Sequence, residues 1–244
     1  MIRFLTAGES HGQALTAIIE GFPAGLPLSL EAIREDLDRR RRGYGRGGRM
    51  KIENDEVTIL AGVRHGETLG SPITLQILNK DWERWQKAMS ATPIEGPTKV
   101  EIAADERLRE LDARVTKARP GHADLAGAQK YQQQDLRNIL ERASARETAA
   151  RVAVGAVARR LLALFEMKVF SGVVMIGAEG ASAIPEDLEQ YRENVGESAV
   201  ASPDPQASLR MMGAIDRAKE NGDSLGGVIE LLIQGAPPGL GSHV

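Results

Sequence analysis

Apolar side chains alternate with polar or small ones over several short stretches of the chain, and a period of two places successive residues on opposite faces of a strand. The alternation predicts strands near residues 14–20, 57–63, 73–78, 168–176 and 228–233. Between them the period lengthens to that of a helix. Leu30, Ile33 and Leu37 recur at i, i+3 and i+7 behind Ser29, a hydroxyl able to cap a first turn, and Gly43 stops that helix. Residues 144–165 read as a long helix on which Ala149, Ala150, Ala153, Gly155, Ala156 and Ala158 form a surface of small side chains, where other backbone can pack close. A third helix, 206–220, follows Pro205 and ends before Asn221 and Gly222.

A weak internal repeat organises these elements. GESHGQALTAII (8–19), GETLGSPITLQI (66–77) and GDSLGGVIELLI (222–233) all read Gly, acid, hydroxyl, any residue, Gly, then a strand. The first and third copies stay in step further on, where GFPAGL (21–26) aligns with GAPPGL (235–240). A duplicated turn-plus-strand unit accounts for the pattern. The five-residue turn is therefore structural, yet its fourth position is Leu69 in one copy, Leu225 in another and His11 in the first. A leucine suffices where the turn only packs, so a titratable ring there points to chemistry; a hydrogen-bonded structural histidine is the alternative.

Composition narrows the classes. The chain of 244 residues is 42% hydrophobic and 27% charged, which suits a folded globular protein rather than a disordered one. It has no cysteine, so disulfides and thiolate chemistry are excluded. No apolar run approaches the roughly 18 residues of a membrane span, and the first residues carry no signal-peptide core, so the expected location is cytoplasmic with no membrane partner. A net charge of −3 gives no global attraction to nucleic acid, and any anion site must be local.

One local site is plain. Residues 34–51 hold Arg34, Arg39, Arg40, Arg41, Arg42, Arg46, Arg49 and Lys51 against three acids, with glycines between that let backbone approach a ligand. Arginine forks match phosphate and carboxylate, so a compact polyanion is the expected guest. The competing readings are a solvated charge run, an RNA-binding segment using the Arg/Gly-rich patch 39–51, and a dinucleotide loop through Gly43, Gly45 and Gly48. The last is weak because those glycines follow a helix rather than a strand. RNA binding calls for stacking aromatics, and Tyr44 alone interrupts the patch. In RPGHADLAG (119–127), His122 sits on a turn before a helix whose positive end suits an anion. The four histidines, including His65 and His243, lack metal-ligand spacing, so no metal is expected. In ERASARET, which opens at Glu141, Ser144 with Glu147 reads as a capping box. The flanking Arg142 and Arg146 oppose the helix dipole unless an anion lies between them.

GESHG, DRRRRGYGRGGR, RPGHADL and ERASARETAARVAVGAVARR, in this order and at this spacing, resemble the chorismate synthase family, and the likeness runs to the final GAPPGLGSHV. The resemblance implies an α+β fold: a β-α-β sandwich, pseudo-repeated, in which antiparallel sheets enclose a layer of long helices, one domain over 1–244. It implies a lyase that forms chorismate from 5-enolpyruvylshikimate 3-phosphate by 1,4-anti elimination of phosphate, in the shikimate pathway of aromatic amino acid biosynthesis. Reduced FMN is the implied cofactor, NADPH an optional reductant, and a homotetramer the implied assembly. Carried over by position, His11 is the acid for the departing phosphate, Ser10 a member of a proton relay, and His122 the histidine beside the flavin. Arg40, Arg46, Arg49, Arg119 and Arg146 are implied to hold the substrate or NADPH, and Arg142, Ala143 and Ser144 to contact the flavin. In the family a further segment follows GLGSHV, with most flavin contacts and a relay aspartate. The sandwich is accordingly expected to be incomplete in these 244 residues, with apolar faces uncovered.

Overall fold

A computed structural model describes residues 1–45, 55–92 and 115–242. It is an α+β structure of antiparallel sheets and helices in two compact units, one of residues 1–37 and 52–156, the other of residues 38–51 and 157–244. The first unit holds β1 (Arg3–Gly8), β2 (Ala14–Glu20), β3 (Ala24–Pro27) and most of α1 (Leu30–Arg41), then β4 (Val57–Ala61), β5 (Val63–Arg64), β6 (Glu67–Leu69), β7 (Ile73–Leu78) and the short α2 (Trp82–Trp85). It continues with α3 (Asp124–Tyr131), α4 (Arg137–Leu140) and the first half of α5 (Thr148–Ala163). Its main sheet runs β1-β2-β7-β4, and a smaller one runs β3-β6-β5.

The period-two reading is realised in β2 and β7. Leu15, Ala17 and Ile19 face Ile77, Leu75 and Ile73 across the ladder, and all six are buried. Val57 of β4 joins them opposite Ile77. The strand expected over 57–63 is divided: its ladder slips between Ile59 and Ala61, and beyond Gly62 the chain pairs in the other sheet as β5. Ser29 caps α1 as its position suggested, accepting from the Ala32 amide at 3.2 Å, and Ala32, Ile33 and Leu37 are buried. The helix expected from residue 144 begins as a 3₁₀ turn, Ala145–Glu147, before α5 proper. Ser144 caps that turn, accepting from the Arg146 amide. The capping box does not close as expected, because the Glu147 carboxylate turns away to accept from the Thr6 hydroxyl at 2.7 Å and from Arg151. Ala149, Ala150, Ala153 and Ala156 form the buried small-residue face of α5, whereas Gly155 and Ala158 stand partly open.

The second unit comprises β8 (Lys168–Ile176), β9 (Glu179–Gly180), α6 (Leu188–Glu197), α7 (Pro205–Glu220) and β10 (Gly227–Gln234), with strand order β10-β8-β9. Its core gathers Val200, Ala207 and Met211 with Val173, Ile176 and Ile215. Pro205 is the first residue of α7, where a missing amide costs nothing. On β10, Ile229, Leu231 and Ile233 are 78, 61 and 56% exposed, an apolar stripe without cover within this unit.

The duplicated sequence pattern has a duplicated geometry. β1 pairs antiparallel with β2 in one unit, as β8 does with β10 in the other. Gly21, after β2, has φ of 76°, and an added Cβ would lie 2.6 Å from the carbonyl oxygen of Met1; Gly235, after β10, has φ of 78° and would meet the carbonyl oxygen of Glu166 at 2.8 Å. Both positions demand a residue without a side chain, for the same two reasons.

Asp204 locks α7. Its carboxylate accepts from the Gln206 and Ala207 amides at the helix start and from the Ser182 and Ala183 amides of the β9–α6 connection. The hydrogen bond from Ser182 leads the others in holding its pKa down to about 2, against the opposing pull of burial. A depressed carboxylate stabilises the fold above its unfolded pKa, near 4, and loses that contribution as pH falls through the folded value. Asp204→Asn is expected to lower unfolding free energy near pH 7 by about 2 kcal/mol and to flatten its decline between about pH 4 and pH 2, measured by urea denaturation across that range.

Candidate active site

The GESHG loop joins β1 to β2 and is held from two sides. On one side stands Asn79, at the end of β7. Its side-chain amide donates to the carbonyls of Glu9 at 3.1 Å and Gly12 at 2.6 Å, and its backbone amide donates to Gln13 at 3.1 Å. The Asn79 side-chain oxygen accepts from Arg146 Nε at 3.1 Å, and the same guanidinium pairs with Asp55. Arg146, Asp55 and Asn79 are all buried. The structure thus places Arg146 inside the fold as a brace behind the loop. A buried ion pair of this kind costs about 3–5 kcal/mol when one partner is removed, so the brace is a strong one.

On the other side is Glu141, which follows α4 and is 1% exposed. Its carbonyl accepts from the Ser10 amide at 3.0 Å. Its carboxylate accepts from the His11 amide at 2.9 Å and lies 2.9 Å from His11 Nδ1. The His11 ring stacks on Trp85 of α2 with centroids 4.0 Å apart and planes inclined by 30°. Arg137 lies over the same indole at 5.3 Å and reaches Glu141 at 3.7 Å. Burial pushes the Glu141 carboxyl up, but the hydrogen bonds from His11, with the charge of Arg137 behind them, outweigh it and hold the group below its ordinary value. Glu9 is pushed the other way, first by burial and then by the charge of Glu141.

A hydroxyl pair ties the loop to the segment after Glu141, at Ser10, the residue before His11. Ser144 Oγ donates to Ser10 Oγ at 3.1 Å, joining two of the motifs picked out in the sequence. Arg142 reaches back to β1, donating to the Thr6 carbonyl at 2.9 Å and the Thr6 hydroxyl at 2.8 Å, with Glu147 at 3.5 Å. Ala143 lies exposed between Arg142 and Ser144.

Arg119 and His122 gather around a different buried acid, Asp124, which is fully excluded from solvent. Asp124 accepts from the Arg119 backbone and Nε, each at 3.0 Å, and pairs with His122 Nδ1. The hydrogen bond from Arg119 is the first cause holding the Asp124 carboxyl well below the usual carboxylate range, against its burial. His122 therefore stands two residues before α3 with its ring tied down by a carboxylate. Arg40 lies in the last turn of α1, partly buried. Arg46, Arg49 and His243 fall outside the described residues. Among the described residues, no three His, Asp or Glu side chains gather as a metal ion requires.

Sequence reasoning missed Glu141, Asp124, Asn79, Asp55 and Trp85. Asp124 stands two residues from His122 in the same motif, and an acid so close to a candidate histidine was the available signal; Glu141 stands beside Arg142, 130 residues from the histidine it holds, and gave none. Asn79 gave none, because its role arises from a contact 67 residues away.

The His11 imidazole on buried Glu141, with the Ser10–Ser144 hydroxyl pair at the preceding residue, forms the candidate site. A family model described as chorismate synthase matches residues 2–244. The chain is 54% identical over 245 residues to the chorismate synthase of Enterococcus faecalis and 55% over 243 residues to that of Brevibacillus brevis, in each case covering 100% of this chain and 60% of the relative. The chorismate synthase of Aquifex aeolicus is 53% identical over 251 residues with the same coverage. A crystal structure of chorismate synthase superimposes with a TM-score of 0.72 at 44% identity, covering 95% of this chain and 58% of that one. The chain belongs to the chorismate synthase family, and it spans about 60% of the length of these curated relatives.

Because Asn79 carries the loop and satisfies Arg146, Asn79→Ala is expected to destabilise the protein by about 2–4 kcal/mol, leaving buried polar groups unpaired. Chemical denaturation checks the loss; a cost below about 0.5 kcal/mol would show that the loop stands without the amide.

Proposed function

We propose that the protein acts as a chorismate synthase, a lyase that converts 5-enolpyruvylshikimate 3-phosphate to chorismate by 1,4-anti elimination of phosphate. The observation that carries this reading is His11 seated on buried Glu141, in a loop whose preceding residue, Ser10, accepts from the Ser144 hydroxyl, in a chain of this family. Elimination breaks the carbon–oxygen bond to phosphate, and the leaving group needs a proton, which a positioned imidazole gives. His11 is that acid. Ser144 and Ser10 form a hydroxyl path that holds or passes a proton.

The substrate carries a phosphate and two carboxylates, and Arg40, Arg46, Arg49 and Arg119 are its partners in this reading; Arg40 and Arg46 equally suit the phosphates of NADPH. Arg146 serves from behind, bracing the loop through Asn79. The donors at and around Ser144 fit a flavin, whose ring carbonyls and phosphate accept hydrogen bonds: Arg142, the Ala143 backbone and Ser144 would hold it, with His122 as a further partner in this reading. Reduced FMN, when bound, supplies electron density to the elimination and is not consumed overall. The β-α-β sandwich over residues 1–244, the homotetramer and the cytoplasmic location belong to the same reading and rest on family membership. The RNA-binding alternative, using the Arg/Gly-rich patch 39–51, has Tyr44 as its one aromatic in that patch and no support from the family match.

The full natural polypeptide, incubated anaerobically with photoreduced FMN and 5-enolpyruvylshikimate 3-phosphate, is expected to form chorismate, followed by its absorbance. His11→Leu, which puts at this position the residue found in the other two copies, is expected to keep the fold and lower turnover by roughly 10²- to 10⁴-fold. Arg40→Ala is expected to weaken substrate binding by about 1.5–3 kcal/mol, read as Kd by flavin titration.

A further inference from the structure

Resting on the role proposed for His11, and going beyond it, we infer that Glu141 is the positioning residue that fixes the His11 imidazole as its Nδ1–H form and aims the opposite nitrogen at the departing group. Three contacts tie Glu141 to the loop at consecutive residues: its carbonyl holds the Ser10 amide, and its carboxylate holds both the amide and the ring of His11. The ring cannot turn without breaking the last of these. An ionised carboxylate has no proton to give, so the proton in the contact belongs to Nδ1. Nε2 is then the nitrogen that takes up a second proton, giving the imidazolium, and releases it to the departing group. When that proton moves to a phosphate oxygen, the ring is left neutral with Nδ1–H already facing a carboxylate, and no rotation or second transfer is needed.

The surroundings serve the same end. Trp85 covers one face of the imidazole and blocks tilting. Arg137 lies over the same indole and neutralises part of the Glu141 charge. Glu9, the other acid facing Glu141, is held above its ordinary value, first by burial and then by the charge of Glu141. Buried as it is, Glu141 has no access to a ligand of its own and acts through His11 alone.

The test uses the full natural polypeptide labelled with ¹⁵N-histidine, first without flavin or substrate. The expected result is an Nδ1–H tautomer for His11, identified by its disappearance in His11→Leu. In Glu141→Gln, an amide that can donate as well as accept, the expected result is a mixture of both tautomers with an unchanged far-ultraviolet spectrum. An Nε2–H ring in the wild type, or a variant that keeps a pure Nδ1–H ring, would overturn the inference. The wild-type measurement decides even where Glu141→Gln fails to fold. Turnover then separates this inference from the reaction it deepens: with photoreduced FMN, Glu141→Gln is expected to lose roughly 10²-fold or more in kcat while KM stays within about twofold. Equal kcat in the two proteins would overturn it. A wild type inactive on 5-enolpyruvylshikimate 3-phosphate but with the Nδ1–H ring overturns the proposed reaction and supports the tautomer.

Discussion

A carboxylate taken out of water must be met by donors, and in this chain that requirement fixes the positions of the groups able to do chemistry. Glu141, Asp124 and Asp55 are all buried, and each has drawn to itself a cation or imidazole from a named motif: His11, the Arg119–His122 pair, and Arg146. None of these acids would be tolerated in an apolar interior alone. Their partners are consequently held, and a held imidazole is the kind that transfers a proton in one direction. The sheet β1-β2-β7-β4 supplies the rigid ground for this, because both ends of the GESHG loop are strand ends and Asn79 closes β7 beside them.

The repeated turn shows how one backbone serves two ends. In both units a strand pair ends at a glycine that touches the start of the first strand, and the constraint on Gly21 and Gly235 is the same. The fourth position of the turn is free of that constraint. It carries exposed leucines, Leu69 and Leu225, in two copies and an imidazole in the third. A scaffold position that packing does not claim is where a reactive side chain can be installed without loss of the fold.

The strands β2 and β7 and the helices α1 and α7 were legible because each carries an uninterrupted period together with a cap or a breaker, such as Ser29 or Pro205. Short elements with little burial were not: β5 and β6 have two and three residues. The helix α6 did carry a signal, with Asp187 capping its first turn and buried Tyr191 one turn on, but its mean polarity concealed it. Of the site, His11 was legible as the odd residue of a repeated turn and His122 as a histidine before a helix start, whereas Ser10 and Ser144 read as turn and cap residues and entered the site through the family resemblance. The acids that hold them were not read, since an isolated glutamate or aspartate is ordinary at the surface and becomes informative only when burial is known. Arg146 marks the same limit from the opposite side. Its sequence context matches that of ligand-facing arginines, and only the fold turns its guanidinium inward to Asp55.

The stacking of Trp85 on His11 gives this protein an optical window on its own site. The chain has two tryptophans, Trp82 and Trp85, both at one short helix, and one of them is stacked on the imidazole, so part of its intrinsic emission originates at the site. An indole in van der Waals contact with an imidazole is quenched according to the distance and tilt between the rings. Any guest that shifts His11 by a fraction of an ångström therefore changes the colour or brightness of the whole molecule, and occupancy of the site can be followed without a label or a turnover.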